Sequence, residues 1–141
     1  MRKLGPLIVL LAACAGSAQQ AKPTKSLYDR LGEKPAITAV VDQFVAKLAA
    51  DQRINARFAN SDIPHLKAML VDQICEAAGG PCKYTGKDMR TSHTGMNISD
   101  DEFNALVEDL KITLDQFKVG GLEQKDLIGA LAPMKPDIVG H

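Results

Sequence analysis

Apolar side chains in this chain recur at three- and four-residue intervals, and no segment shows the strict alternation of a strand. Ile37, Val40, Val41, Phe44, Val45 and Leu48 form one such face, with Pro35 in the first turn of the helix they predict. Ile63, Leu66, Leu70, Ile74 and Ala77 mark a second stripe. Ser61-Asp62 and Pro64 open it, and Gly79-Gly80-Pro81 stops it. Ser99-Asp100-Asp101-Glu102 reads as a capping box, and the helix it starts is expected to bury Phe103, Leu106, Val107, Leu110, Leu114 and Phe117. After Val119-Gly120-Gly121 a last helix carries Leu122, Leu127, Ile128 and Leu131 and stops near Pro133. The pattern allows an all-α fold, and no internal repeat is present.

A length of 141 residues suits one domain, and 45% apolar with 24% charged residues suits a packed core. Seventeen basic residues balance seventeen acidic ones, which argues against a chain that grips nucleic acid through its phosphates. No apolar run approaches the roughly 20 residues that span a bilayer as a helix.

The first residues read as an address. Met1-Arg2-Lys3 carries positive charge, Leu7 to Ala13 is apolar, and Leu11-Ala12-Ala13-Cys14 resembles a bacterial lipobox. That resemblance implies cleavage after residue 13, a lipid on Cys14, and, with Ala15 next, the periplasmic side of the outer membrane. A plain signal peptide cut within Ala13 to Ala18, giving a soluble periplasmic protein, is the alternative. Loss of Arg2 and Lys3 leaves 15 basic against 17 acidic residues. Residues 14–25, rich in Ala, Gln, Ser and Pro, read as a flexible tether, and 26–134 as the globular domain. Residues 135–141 are expected to be a disordered tail. In an oxidising compartment the close pair Cys75 and Cys82 is expected to form a disulfide. There is no Cys-x-x-Cys, so a thioredoxin-type site and covalent c-type haem attachment are both absent.

Between the second and third stripes, Pro81 to Asn97 is too polar and too interrupted by glycine for a long helix, yet it holds Met89 and His93. A long irregular stretch within a small domain usually has a functional cause. A bound group filling the space of a missing helix would be such a cause.

The string Tyr84-Thr-Gly86-Lys-Asp-Met89-Arg-Thr-Ser-His93, followed by Ile98 and Phe103, resembles the proximal haem segment of group I truncated haemoglobins. Ser26-Leu27-Tyr28-Asp29-Arg30-Leu31-Gly32 resembles that family's first short helix, and Leu48 to Ile54, Phe58, Leu66-Lys67, Gly79-Gly80 and Tyr84 keep its order and spacing. The match covers roughly residues 26 to 134. The resemblance implies a two-over-two helical sandwich that holds non-covalent haem b and reversibly binds oxygen, carbon monoxide or nitric oxide.

Carried over residue by residue, His93 is the iron ligand; one axial nitrogen suffices because the porphyrin supplies four. An isolated histidine before a glycine is ordinarily a surface residue, and only the surrounding motif singles this one out. His65, in a first helical turn, is expected to face solvent. Phe58 would pack on the porphyrin. Phe44, Leu66, Leu70 and Ile74 would cover the distal side, with Tyr84, Met89, Ile98, Phe103 and Val107 on the proximal side. Lys67, Lys83 and Arg90 are candidates for the haem propionates.

Many family members place Tyr, Gln or Thr above the iron to hydrogen-bond the gas. The matching positions here are Phe44, Leu66 and Leu70, and none offers a hydrogen. That disfavours tight oxygen binding and nitric-oxide dioxygenation. Gln73, seven residues after Leu66, shares its face; Gln43 is a weaker candidate donor. Met69 could itself ligate iron. Two other readings therefore stay open: a redox haem protein with His93/Met69 ligation, its partner unassigned, and a haem-free helical interaction lipoprotein.

Overall fold

The computed structural model describes residues 23–141. The expected signal peptide and lipobox, and the tether up to residue 22, lie outside the described residues. Seven helices follow in order: α1 (Leu27–Arg30), α2 (Glu33–Ala50), α3 (Ile63–Ala77), α4 (Met89–His93), α5 (Asp100–Gln116), α6 (Gly121–Leu131) and α7 (Lys135–Ile138). Single 3-10 turns occupy Asn55–Phe58 and Ala132–Met134. Among the described residues there is no strand, only an isolated parallel bridge between Ile98 and Val139. No described helix is long and apolar enough to cross a membrane.

Capping chemistry sets the helix starts. Ser26 and Asp29 form a capping box on α1, and Ser99 and Glu102 form the expected one on α5. There the Glu102 amide donates to Ser99 Oγ over 3.1 Å, and the Ser99 amide donates to Glu102 Oε2 over 2.9 Å. Asp62 caps α3 by accepting the His65 amide over 3.1 Å, and Pro64 sits in the first turn, where no intrahelical donor is needed.

Helix α2 packs on both α3 and α5, and α6 crosses the same two, so two helix pairs are stacked face to face. The core lies between them: Val41 and Leu48 of α2, Cys75 of α3, Thr113 and Leu114 of α5, and Leu127 of α6 are sealed from solvent. Each large apolar side chain buried this way contributes roughly 1.5–3 kcal/mol before chain entropy is counted. Ion pairs from Lys34 to Asp72 (3.2 Å) and from Lys67 to Asp42 (3.0 Å) bracket the contact of α2 with α3. Cys75 and Cys82 are disulfide-bonded, with 5.7 Å between their Cα atoms.

Two expectations are corrected. Phe117 is 42% exposed, because α5 ends at Gln116 and the left-handed backbone at Lys118 (φ 56°) turns the chain away before the stripe can continue inward. Residues 135–141 are not a disordered tail. They form α7 and a short extended stretch whose Gly140 amide donates to the Ile98 carbonyl over 2.9 Å, so Pro136 and Gly140 serve a turn rather than an end.

Candidate haem site

The stretch from Pro81 to Asn97 contains only the five-residue α4, which ends on His93. Asp88 caps it, accepting the Thr91 amide over 2.9 Å and the Thr91 hydroxyl over 2.7 Å. The Thr91 hydroxyl bond, followed by the amide bond, holds the Asp88 carboxyl below its ordinary range. Upstream, the half-buried Tyr84 donates its hydroxyl to the Lys87 carbonyl over 2.6 Å. Its ring folds back so closely over Gly86 that a methyl there would meet the phenol at 2.5 Å. Glycine is the residue that lets this loop close. Burial, and secondarily the charge on Asp88, raises the Tyr84 hydroxyl's pKa.

His93 is half-buried, and its Nδ1 lies 2.8 Å from the Met89 carbonyl oxygen and 3.0 Å from Ser92 Oγ. A carbonyl only accepts, so Nδ1 is the donor and Nε2 is the nitrogen left to face a metal. That is the tautomer a metal-ligating imidazole requires, fixed by a backbone partner. Among the described residues no group of three or more His, Cys, Asp and Glu side chains could hold a metal ion. One imidazole with its ligating nitrogen free suits an iron whose other nitrogens come from a porphyrin, and in this respect the site fits haem.

Opposite α4 stands α3, and helical periodicity divides its faces. Val71 and Cys75, both buried, lie between the two ion pairs and so face α2. Leu66, Leu70, Gln73 and Ala77 follow one another at four, three and four residues on the adjoining flank. Gln73, Glu76, Ala77, Tyr84, Asp88, Met89 and Met134 line a cavity of about 230 Å³ between that flank and α4. The amide of Gln73 reaches across it, its Nε2 lying 3.3 Å from Met89 Sδ and 3.4 Å from Met134 Sδ. Gln73 therefore does point inward, while Gln43 and His65 are exposed.

The other expected lining residues divide into two sets. Leu66, Met69 and Leu70 on α3, Phe58 in its 3-10 turn, and Phe103 and Val107 on α5 are half-buried and, like His93, do not line that cavity. Phe44 and Ile74 belong instead to the main core. Ile74 packs towards Ile37, Val40, Leu114 and Leu127, and Phe44 shares the midline of the α2 stripe with Ile37, Val41 and Leu48. On α2 it is Val45 that lies on the flank bracketed by Lys34 and Asp42, towards α3. Spacing marks both Phe44 and Val45 as buried, but the choice between them rests on long-range ion pairs. Glu76 and Ala77 could have been found from Gln73 by helical spacing, whereas nothing in the sequence pointed to Met134. The three candidate propionate partners already face carboxylates: Lys67 with Asp42, Arg90 with Asp137 at 3.3 Å, and Lys83 with Glu76 at 3.9 Å. These pairs are solvent-accessible and worth little, so each cation remains free to exchange partners.

The bacterial-like globin family matches residues 26–139. A group 1 truncated haemoglobin of Tetrahymena pyriformis is 31% identical over 116 residues, 82% of this chain and 96% of that protein. One from Mycolicibacterium paratuberculosis is 32% identical over 120 residues, 85% of this chain and 88% of its own length. The crystal structure of the Tetrahymena pyriformis protein in its Fe(III) form superposes with a TM-score of 0.80, covering 83% of this chain and all of that one. The 2/2 haemoglobin of a Synechococcus, in the cyanomet state with covalently attached haem, superposes at 0.77 with 28% identity, over 82% of this chain and 98% of that one.

The fold and the His93 segment thus define a truncated, two-over-two globin. The chain belongs to the bacterial-like globin family, as a relative of the group 1 truncated haemoglobins. It is a haem-binding globin, which sets aside the haem-free reading of the sequence.

Proposed function

We propose that the slot between α3 and α4 holds haem b through His93 and exchanges diatomic gases over a distal wall that offers them almost no hydrogen bond. Bound haem supplies an iron with one open axial position. The 2.8 Å contact of His93 Nδ1 with the Met89 carbonyl is the observation that carries this reading. Phe58, Leu66, Leu70, Met89 and Phe103 exclude water around the ring, and Lys67 meets its carboxylates. Val45, Leu66 and Leu70 are apolar, and the one inward amide, Gln73, is directed at two thioethers. His93→Ala should lose haem on gel filtration, or keep it only with added imidazole. An unchanged visible spectrum in that variant would refute the assignment.

We further propose that the protein is exported and tethered to a membrane by lipid on Cys14. The charged start, the apolar run and the Leu11-Ala12-Ala13-Cys14 tetrad support this, and a Cys75–Cys82 disulfide suits an oxidising compartment. Palmitate labelling of the full chain, lost in Cys14→Ser, is the expected result. A soluble, unlabelled product would overturn it.

A further inference from the structure

Four hydrogen bonds hold the backbone between His93 and Ile98. The His93 carbonyl accepts the Met96 amide over 3.0 Å, and the Met96 carbonyl accepts Arg57 Nη1 over 2.9 Å. Beyond that the partners all come from the segment 135–141. The Asn97 amide donates to the His141 carbonyl, and the Ile98 carbonyl accepts the Gly140 amide over 2.9 Å. Ile98 pairs with Val139 as a parallel bridge and is buried by it. The segment also grips both neighbouring helices: Asp137 meets Arg90 of α4 at 3.3 Å, and Lys135 meets Asp100 of α5 at 2.7 Å while its ammonium lies 5.3 Å from the centre of the Phe103 ring.

Two backbone positions are shaped for this clasp. Asn97 takes the left-handed conformation (φ 49°), which asparagine tolerates better than most residues. Gly140 takes it as well (φ 78°), with nothing within 4 Å of where a Cβ would stand. A side chain at Gly140 would therefore act through backbone conformation alone.

We propose that residues 135–141 form a strap that positions His93, by clamping the five-residue α4 and the loop after it against α5. A five-residue helix cannot hold a ligand in place by itself, since isolated helices this short do not persist in water. Asn97 and Ile98, four and five residues after His93, are where the strap takes hold through the backbone, and the solvent-accessible pair of Asp137 with Arg90 adds a weaker contact three residues before it. Asp137 and Gly140 are positioning residues; neither is placed in the haem slot. The proposal rests on His93 being the haem ligand.

The test uses the full chain with haem and four variants: Asp137→Asn, Asp137→Glu, Gly140→Ala, and a chain ending at Met134. The readouts are the iron–histidine stretching band of the ferrous protein and the rate of haem transfer to an acceptor apoglobin. Loss of outer support for a metal ligand typically weakens its hold about 10- to 100-fold. The shortened chain should accordingly transfer haem at least about tenfold faster and show a shifted or broadened band. Gly140→Ala should fall between it and the unmodified protein, and Asp137→Glu should restore what Asp137→Asn loses. If the shortened chain does not fold, the point variants decide by the same band. A band and transfer rate unchanged in every folded variant would overturn the strap. If His93→Ala still loses haem in that case, the ligand assignment stands and only the strap falls.

Discussion

A single substitution on α3 tests whether the distal wall governs gas release. Leu70 lies on the flank shared with Leu66 and Gln73, is half-buried, and packs only in part against the core. Glutamine is close to leucine in volume and would bring an amide N–H donor to that flank. Forfeiting half of a leucine's burial costs roughly 1–1.5 kcal/mol, small beside a typical domain stability of about 5–15 kcal/mol, so Leu70→Gln should fold. Oxygen bound to haem carries partial negative charge, and a hydrogen bond to a charged acceptor is worth roughly 1.5–3 kcal/mol. If the whole gain falls on dissociation, oxygen release slows by about ten- to a hundredfold. Carbon monoxide, which depends less on such a bond, should change little. Stopped-flow displacement of oxygen by carbon monoxide measures the first rate, and flash photolysis gives the second. A change of less than about twofold in oxygen release, or an equal change for both gases, would refute the reasoning. Phe44→Tyr is the less informative variant, because Phe44 stands on the core midline of α2 and its new hydroxyl would be buried away from the slot.

Three further outcomes follow from the packing and charges. Arg57, followed by the Ser99 backbone, holds the Glu102 carboxyl down to about 2, against an ordinary 4.5. Its contribution is therefore present at neutral pH and lost as pH falls from about 4.5 to 2, and Glu102→Gln should lower the thermal midpoint at pH 7 with a difference that shrinks in acid. Asp109 is 4% exposed with its Oδ2 unpaired, and burial together with the charge of Asp51 raises its pKa above 3.8. The native state then binds the proton more tightly, stability falls as pH rises through that window, and Asp109→Asn should raise the melting temperature at pH 7; a lower value would contradict this. Opening the Cys75–Cys82 loop by a double serine substitution should cost roughly 2–2.5 kcal/mol by chain entropy, measurable by urea denaturation. Free thiols in the folded, unreduced protein would show that the bridge is absent.

The helices were legible because their signals are local. A 3.6-residue period and a capping box need only neighbours along the chain, and Ser99-to-Glu102 and Asp62 behave as the sequence implies. His93 was not legible in that sense. It has no periodic company, and only the motif running back to Tyr84 picked it out. What the sequence misjudged depends on contacts distant along the chain. Periodicity continued through Phe117 because nothing local announces the left-handed turn at Lys118. Residues 135–141 read as a disordered tail, yet they form a segment that finds its partners some forty residues upstream. Phe44 and Val45 were both correctly read as buried and both belong to the core, but telling which of them faces α3 needed ion pairs spanning α2 and α3.

The two sides of the haem slot are built to different rules. The distal wall is a flank of α3 whose adjoining face, Val71 and Cys75, already fixes the helix against α2. Residues 66 and 70 can therefore change from apolar to polar at a cost of about one kcal/mol each without moving the helix that carries them. The proximal side has no such reserve. Its helix is five residues long, its ligand's tautomer depends on one carbonyl, and the loop beyond is held by hydrogen bonds from Arg57 and from residues 140 and 141. A change there disturbs the haem itself. Gas preference can thus be altered on α3 while the grip on the cofactor stays constant. A distal wall with few donors, as proposed for this chain, is a substitution pattern that the fold tolerates readily.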